Sequence, residues 1–253
     1  MIEVAKKAAI EAGKAILSLR KGRLRIKTKS NASDIVTQAD LESDKIISKI
    51  LKTSFPNHGF ISEETANDAS LSDYTWIIDP LDGTLGYAAG LPFFGISIGL
   101  IRDNKPYLGV INLPDFGSLY WAEKGKGSYL NGKKIKVDSL KDLSRAIISF
   151  DYHFAGGRRK EIQRILIKIA DKVRYPPTFA CSVVSLAYIA QGICHGNIHS
   201  AYPWDFAAGA AIIEEAGGKV TNYQGKTIDW SEKSIDLLAT NGKLHNSILS
   251  LIK

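Results

Sequence analysis

The chain has 253 residues, 45% apolar and 23% charged, with a net charge of +7. That composition suits a folded, soluble chain of one or two domains and excludes disorder. Two cysteines exclude a disulfide framework, and no apolar run is long enough to cross a membrane, so no membrane partner is expected. Residues 1–7 carry no secretory hydrophobic core, which makes a cytoplasmic location the expectation. Basic residues are scattered, with short clusters at 20–29 and 158–160 and no interleaved aromatics. A solvated lysine-rich surface is favoured over nucleic-acid binding.

Residues 2–20 read as an amphipathic helix, because Val4, Ala8, Ala12, Ile16 and Leu19 recur every three or four positions. Residues 29–40 are polar and read as a loop with some strand. Residues 41–52 predict a second helix around Ile46, Ile47, Ile50 and Leu51, with Pro56 beyond its end. Short strands follow at 74–78, 95–101, 108–111 and 119–122, with turns at 103–106 and 125–127. This half reads as a sheet with paired helices packed against it. Beyond about residue 140 the pattern alternates. A strand at 146–149 precedes helices at 161–170, 182–191 and 205–216, strands at 219–221 and 237–240, and a last helix at 244–252. Gly217-Gly218 is a natural stop for the helix before it. Such alternation argues a second, α/β half, and divides the chain into 1–140 and 141–253 at a boundary near 138–143.

The segment that carries most chemistry is Asp79-Pro80-Leu81-Asp82-Gly83-Thr84, directly after the apolar run Trp76-Ile77-Ile78. Two carboxylates three residues apart at a strand end can converge on one hard cation. Gly83 lets the backbone approach a ligand, and the N–H groups of Gly83 and Thr84 can then face an anion. A cation beside an anion cradle suggests phosphate-ester chemistry; an ordinary surface turn is an equal reading of these residues alone. Further carboxylates stand at Glu63-Glu64, Asp205, Asp34 and Asp40. Asp205 and Asp40 could each merely cap a helix, and Glu63-Glu64 could be a solvated turn. No His or Cys stands near these motifs in metal-ligand spacing, which argues against zinc.

With these segments in order, the chain resembles the inositol monophosphatase / fructose-1,6-bisphosphatase superfamily. The resemblance runs over nearly the whole chain. It rests on Lys29, Asp34-x-x-Thr37-x-x-Asp40, Glu63-Glu64, Trp76 through Thr84, Pro92-Phe93-Phe94, a hairpin region at Gly125-Lys126-Gly127 and Asn131-Gly132, Trp204-Asp205-x-Ala207-Ala208-Gly209, Glu214 through Gly218, and Asn241-Gly242. It implies a layered α+β / α/β sandwich (αβαβα) with the site where the halves meet. It also implies a magnesium-dependent, lithium-sensitive phosphatase acting on small phosphate esters, with two to three Mg2+ per site, in a homo-oligomer (dimer or tetramer). By that resemblance Glu63, Asp79 and the Leu81 carbonyl would hold one magnesium, and Asp79, Asp82 and Asp205 a second. A third, looser ion would lean on Glu63. Thr84 with Glu63 would orient the attacking water, Asp34 would hydrogen-bond near Thr84, and Asp82 with the N–H groups of Gly83 and Thr84 would meet the substrate. Lys29 would order a loop or supply field, and Asp40 would be structural.

Two departures bear on specificity. Leu85-Gly86-Tyr87 follows Thr84 where inositol phosphatases carry polar-Asn-Phe, and residues 197–202 lack the carboxylate that binds sugar hydroxyls in those enzymes. The expected substrates are therefore fructose 1,6-bisphosphate, inositol 1-phosphate, or both. Arg158, Arg159, Lys160 and Arg174 are candidates for the far phosphate of a bisphosphate, with the Tyr152 and Tyr202 hydroxyls as partners; a solvated basic turn is the competing reading. Cys181 and Ser182 open a helix near the expected sugar site. A 3'-phosphoadenosine nucleotide phosphatase is the second enzyme reading, disfavoured by Leu85. A non-catalytic RNA-binding member is the third, disfavoured by the complete set of clustered carboxylates.

Overall fold

The computed structural model describes residues 1–65, 72–152 and 158–253. The first half comprises helix α1 (Ile2–Arg20), the small hairpin β1 (Ile26–Thr28) and β2 (Ile35–Thr37), helix α2 (Gln38–Ser54), strands β3 (Gly59–Ser62) and β4 (Tyr74–Asp82), and the short helix α3 (Thr84–Ala88). Strands β5 (Gly95–Arg102), β6 (Lys105–Leu113), β7 (Ser118–Glu123), β8 (Gly127–Leu130) and β9 (Lys133–Ile135) complete it. The second half contains β10 (Ile148–Phe150), α4 (Arg158–Glu161), a π-helical turn at Ile162–Leu166, α5 (Ile167–Ala170) and α6 (Ser182–Ala190). It ends with β11 (Gly196–Ala201), α7 (Pro203–Glu215), β12 (Lys219–Asn222), β13 (Ile235–Thr240) and α8 (His245–Ile252). None of the described helices is long and apolar enough to cross a membrane.

Strands β3 to β9 form a seven-stranded sheet in sequence order, in which only the β3–β4 pair is parallel. Its central strands are apolar on both faces, and their period-two alternation sorts them between two cores. Trp76 and Ile78 of β4 pack with Ala5, Ala8, Ala12 and Ile16 of α1, whereas Ile77 between them packs with the cluster around α6 and α7. The second sheet has the order β10-β11-β13-β12. Leu237 and Ala239 of β13 join the α6–α7 cluster, and Leu238 joins Ile148, Ile165, Ile169 and Ile248 on the far side. The result is five layers: α1 and α2, the large sheet, α6 and α7, the small sheet, and the outer helices that include α8.

Several expected elements shift for identifiable reasons. Strand β4 continues past Ile78 to Asp82, because Asp79 and Asp82 still pair with Ser97 and Gly95 of β5 across a bulge. The expected helix at 161–170 is interrupted by the π turn. Strands β8, β9 and β11 are too short or too polar to show a periodic signal, yet β11 is the buried centre of the small sheet. Helix α7 does stop at Gly217-Gly218: Gly217 has φ +88°, and the N–H groups of Gly217 and Gly218 donate to the carbonyls of Glu214 and Ile213.

The approach of α7 to the large sheet is unusually close. A Cβ on Gly99 of β5 would lie 2.6 Å from the Ala207 Cβ, and one on Gly109 of β6 would lie 2.9 Å from the Ala208 carbonyl carbon. Two glycines on adjacent strands and two alanines on the helix therefore set the spacing between layers. Backbone, unlike a flexible side-chain tip, has little room to yield. Gly109→Ala should cost about 1–3 kcal/mol by overpacking and lower the melting temperature by several degrees. A thermal-unfolding midpoint equal to that of the unsubstituted chain would show that the helix is free to move out.

Candidate metal and phosphate site

The bulged end of β4 meets the start of α7 and the start of α6 at a cavity of about 160 Å³. Asp79, Asp82 and Asp205 each offer an oxygen there, and these oxygens lie within 4.8 Å of one another. Three backbone donors aim the carboxylates. The Leu81 N–H donates to Asp79 (2.9 Å), the Val183 N–H of α6 to Asp82 (2.7 Å), and the Tyr202 N–H to Asp205 (2.8 Å). Asp205 is thus the third residue of α7, reaching back to close its first turn, rather than the N-cap itself. Glu63, just after β3, lines the same cavity. The Lys29 ammonium lies 2.8 Å from Glu63 Oε1 and 2.6 Å from Glu64 Oε1, tying the β1–β2 hairpin to this edge.

Crowding shows in the acid–base chemistry. Burial pushes the Asp79 carboxyl well above the ordinary range, and the charges of Glu63, Asp82 and Asp205 add to it. Asp205 is raised by burial and then by Asp82 and Glu63. Asp82 rises to about 7, chiefly by burial, against the Val183 and Cys181 donors that favour its ionised form. Glu63 is raised by burial, with Lys29 opposing. Burial disfavours the Lys29 charge, but Glu63 and Glu64 outweigh it and its pKa is raised. An all-oxygen cluster whose members repel one another fits a hard divalent cation better than zinc.

Beside the carboxylates, Gly83 adopts φ +81°, and a Cβ there would lie 2.5 Å from the Phe93 carbonyl oxygen. Only glycine fits this corner, which turns the chain from β4 into α3. Thr84 Oγ1 lies 2.8 Å from Asp40 Oδ1 and 2.9 Å from the Leu81 carbonyl oxygen. This corrects the expected Asp34–Thr84 bond. Asp34 instead accepts from the backbone N–H and hydroxyl of Ser30 at the cavity's hairpin side, while Asp40, one turn into α2, reaches Thr84. Asp40 does cap α2, from the third helical position. Its Oδ2 takes the Thr37 N–H (2.8 Å) and hydroxyl (2.6 Å), leaving Oδ1 for Thr84.

Ser182 and Tyr202 also line the cavity. Ser182 Oγ is 3.1 Å from His199 Nδ1, and Tyr202 stacks on Trp204 with ring centroids 4.7 Å apart. The basic cluster is placed differently. Arg159 and Arg174 are exposed and are not among the described residues that line the cavity, and the Arg158 side chain lies outside the described residues. Asp151, Thr178, Ala180 and His199 line the cavity without having been singled out as site residues. Asp151 stands two residues beyond the strand expected at 146–149 and directly after the observed β10, and an acidic residue at a strand end is the signal that could have marked it.

These pKa directions fix a pH dependence. For Asp82, the cation-free fold binds more protons than the unfolded chain between the ordinary aspartate value of 3.8 and about 7. Stability therefore falls as pH rises through that window, by about 1.4 kcal/mol per unit for each group held protonated by the fold. In chelator the melting temperature should be lower at about pH 8 than at about pH 5, and magnesium should raise it more at the higher pH. Equal magnesium shifts at both pH values would remove the carboxylates as the binding group.

Comparison with known proteins agrees with this geometry. The family model described as "Inositol monophosphatase family" matches residues 1–253. The chain is 36% identical over 261 residues to the fructose-1,6-bisphosphatase/inositol-1-monophosphatase of Aquifex aeolicus, covering 100% of this chain and 95% of that protein. Among solved structures, the extragenic suppressor protein suhB of Bartonella henselae superposes with a TM-score of 0.91 at 29% identity, covering 100% of this chain and 98% of that one. An IMPase/NADP phosphatase complexed with Mg2+ and phosphate superposes with a TM-score of 0.84 at 25% identity, covering 96% and 90%. With the carboxylate cluster, the five-layer fold and the motif order all in agreement, the chain belongs to the inositol monophosphatase family.

Proposed function

We propose that this protein hydrolyses small phosphate monoesters with magnesium, and that inositol 1-phosphate and fructose 1,6-bisphosphate are among its substrates. The observation that carries the reading is the convergence of Asp79, Asp82 and Asp205 beside the Gly83–Thr84 corner. Family membership, the dual name of the Aquifex aeolicus relative and the Mg2+–phosphate complex of a structural neighbour support it. Glu63, Asp79 and the Leu81 carbonyl would hold one ion, and Asp79, Asp82 and Asp205 another, with a third leaning on Glu63. Bound magnesium supplies neutralisation of the phosphate charge and acidification of a water.

The protein's own groups do the rest. The Gly83 and Thr84 N–H groups would hold phosphate oxygens. Thr84 Oγ1 has one proton, and Asp40 or the Leu81 carbonyl takes it. Its lone pairs are then left to accept from an attacking water, which Glu63 orients from the other side. The buried Asp40, whose carboxyl burial raises, is the group that could receive that proton through Thr84. Lys29 keeps Glu63 in place and orders the hairpin.

A phosphate-release panel over inositol 1-phosphate, fructose 1,6-bisphosphate and 3'-phosphoadenosine nucleotides, with magnesium or chelator, tests the reading. Activity should require magnesium and fall to background in Asp79→Asn, a loss of several kcal/mol of transition-state stabilisation, while thermal unfolding still shows a folded chain. Turnover that survives chelation would sink the metal assignment. Thr84→Ala should reduce kcat by about 10²-fold with a smaller change in KM, and Asp40→Asn should act in the same direction. An effect confined to KM would make Thr84 a substrate-binding residue only.

A further inference from the structure

Asp151, at the end of β10, is 4% exposed and takes no part in the chemistry described above. Its carboxylate is held by donors, although the Asp82 carboxylate is near enough to feel its charge. The Ala180 N–H donates to Oδ1 (2.9 Å), and the Ser185 hydroxyl (3.0 Å) and the Asn197 amide (3.4 Å) donate to Oδ2. Burial pushes its pKa up to about 6, opposed by these same donors. Ala180 is a non-glycine residue with φ +53°, a conformation that an L side chain adopts only when its surroundings hold it there. The flanking segment is anchored to the same strand: Thr178 Oγ1 donates to the Phe150 carbonyl (2.8 Å), and the Phe150 N–H to the Pro177 carbonyl (3.0 Å). Thr178, Ala180, Cys181 and Ser182 line the cavity, and the Val183 N–H that follows holds Asp82.

We propose that Asp151 is a positioning residue: by holding Ala180 in the left-handed conformation it fixes the 178–182 segment as the wall against which the alcohol portion of the ester is seated. The proposal rests on the phosphatase reading, which gives the phosphate to Gly83 and Thr84 and leaves Ala180 and Ser182 to meet the rest of the molecule. An acceptor-only side chain suits this place because three donors converge on it. Asn197 Oδ1 is a buried oxygen without a hydrogen-bond partner among the described residues. In Asp151→Asn the Asn197 amide could turn over and offer that oxygen to the new NH2, so an asparagine preserves the acceptor for Ala180. A leucine does not.

The test is steady-state hydrolysis of inositol 1-phosphate in magnesium, with inhibition by inorganic phosphate measured alongside. Asp151→Leu should raise KM roughly tenfold, with a smaller fall in kcat, because the wall and not the reacting groups has moved. The inhibition constant of inorganic phosphate, which lacks the alcohol portion, should change less than about twofold. Asp151→Asn should restore KM to within about threefold of the unsubstituted enzyme. Ala180→Pro, on an exposed residue, removes both the N–H and the positive φ, and should reproduce the KM defect; it decides the matter where Asp151→Leu does not fold. An unchanged KM in Ala180→Pro overturns the proposal. So does a parallel rise in KM and the phosphate constant, or an asparagine variant no better than leucine. An unsubstituted enzyme that hydrolyses none of the esters overturns the functional reading as well, whereas an active one with indifferent variants overturns this proposal alone.

Discussion

Like charges are pressed together at one end of this molecule, and much of the architecture serves to hold them there. Asp79, Asp82, Asp205 and Glu63 come from two strand ends and a helix start, and each is raised in pKa by burial and by its neighbours. Left to themselves such groups would separate into water. The three aspartates are held by backbone N–H donors, Leu81 at the β4 bulge for Asp79, Val183 at the start of α6 for Asp82 and Tyr202 at the start of α7 for Asp205, and Glu63 is held by Lys29. A cation held by the cluster would relieve that repulsion.

The distance between the two sources of that charge is set elsewhere. Asp79 and Asp82 belong to the large sheet, and Asp205 to a helix laid across it. Gly99 and Gly109 allow α7 to lie almost on the backbone of β5 and β6, while Gly209 on another face of the helix meets Leu186 of α6. Larger residues at these places would lift the start of α7 and its carboxylate away from β4. Packing in the middle layer is therefore a determinant of site geometry, although none of these glycines touches the cavity.

Local patterns carried the parts of this structure that depend on local physics. The alternation in Trp76-Ile77-Ile78 and the three-four spacing in residues 2–20 marked β4 and α1, and Gly217-Gly218 marked the end of α7. The motif order in turn named the carboxylates that the fold brings together. What stayed hidden was decided by partners remote in the chain. Thr84 finds Asp40, 44 positions away, rather than Asp34: Asp40 closes the first turn of α2 with Oδ2 and has Oδ1 left for Thr84. Strand β11 is mostly small and polar, and becomes a strand only because β10 and β13 flank it. Arg159 fitted the composition of a phosphate contact; it is exposed and is not among the described residues that line the cavity.

Asp40 and Asp205 share a construction. Both stand at the third position of a helix, and both spend one oxygen closing that helix's first turn and have another for the site. The point where each helix begins and the point where each carboxylate stands are thus a single coordinate. A shift of either helix by one residue along its axis would carry the side chain about 1.5 Å and rotate it off the cavity. The two helices act as rulers whose zero marks are the functional groups themselves. Drift in the site is then opposed by the cooperativity of helix initiation and not only by contacts around the cavity.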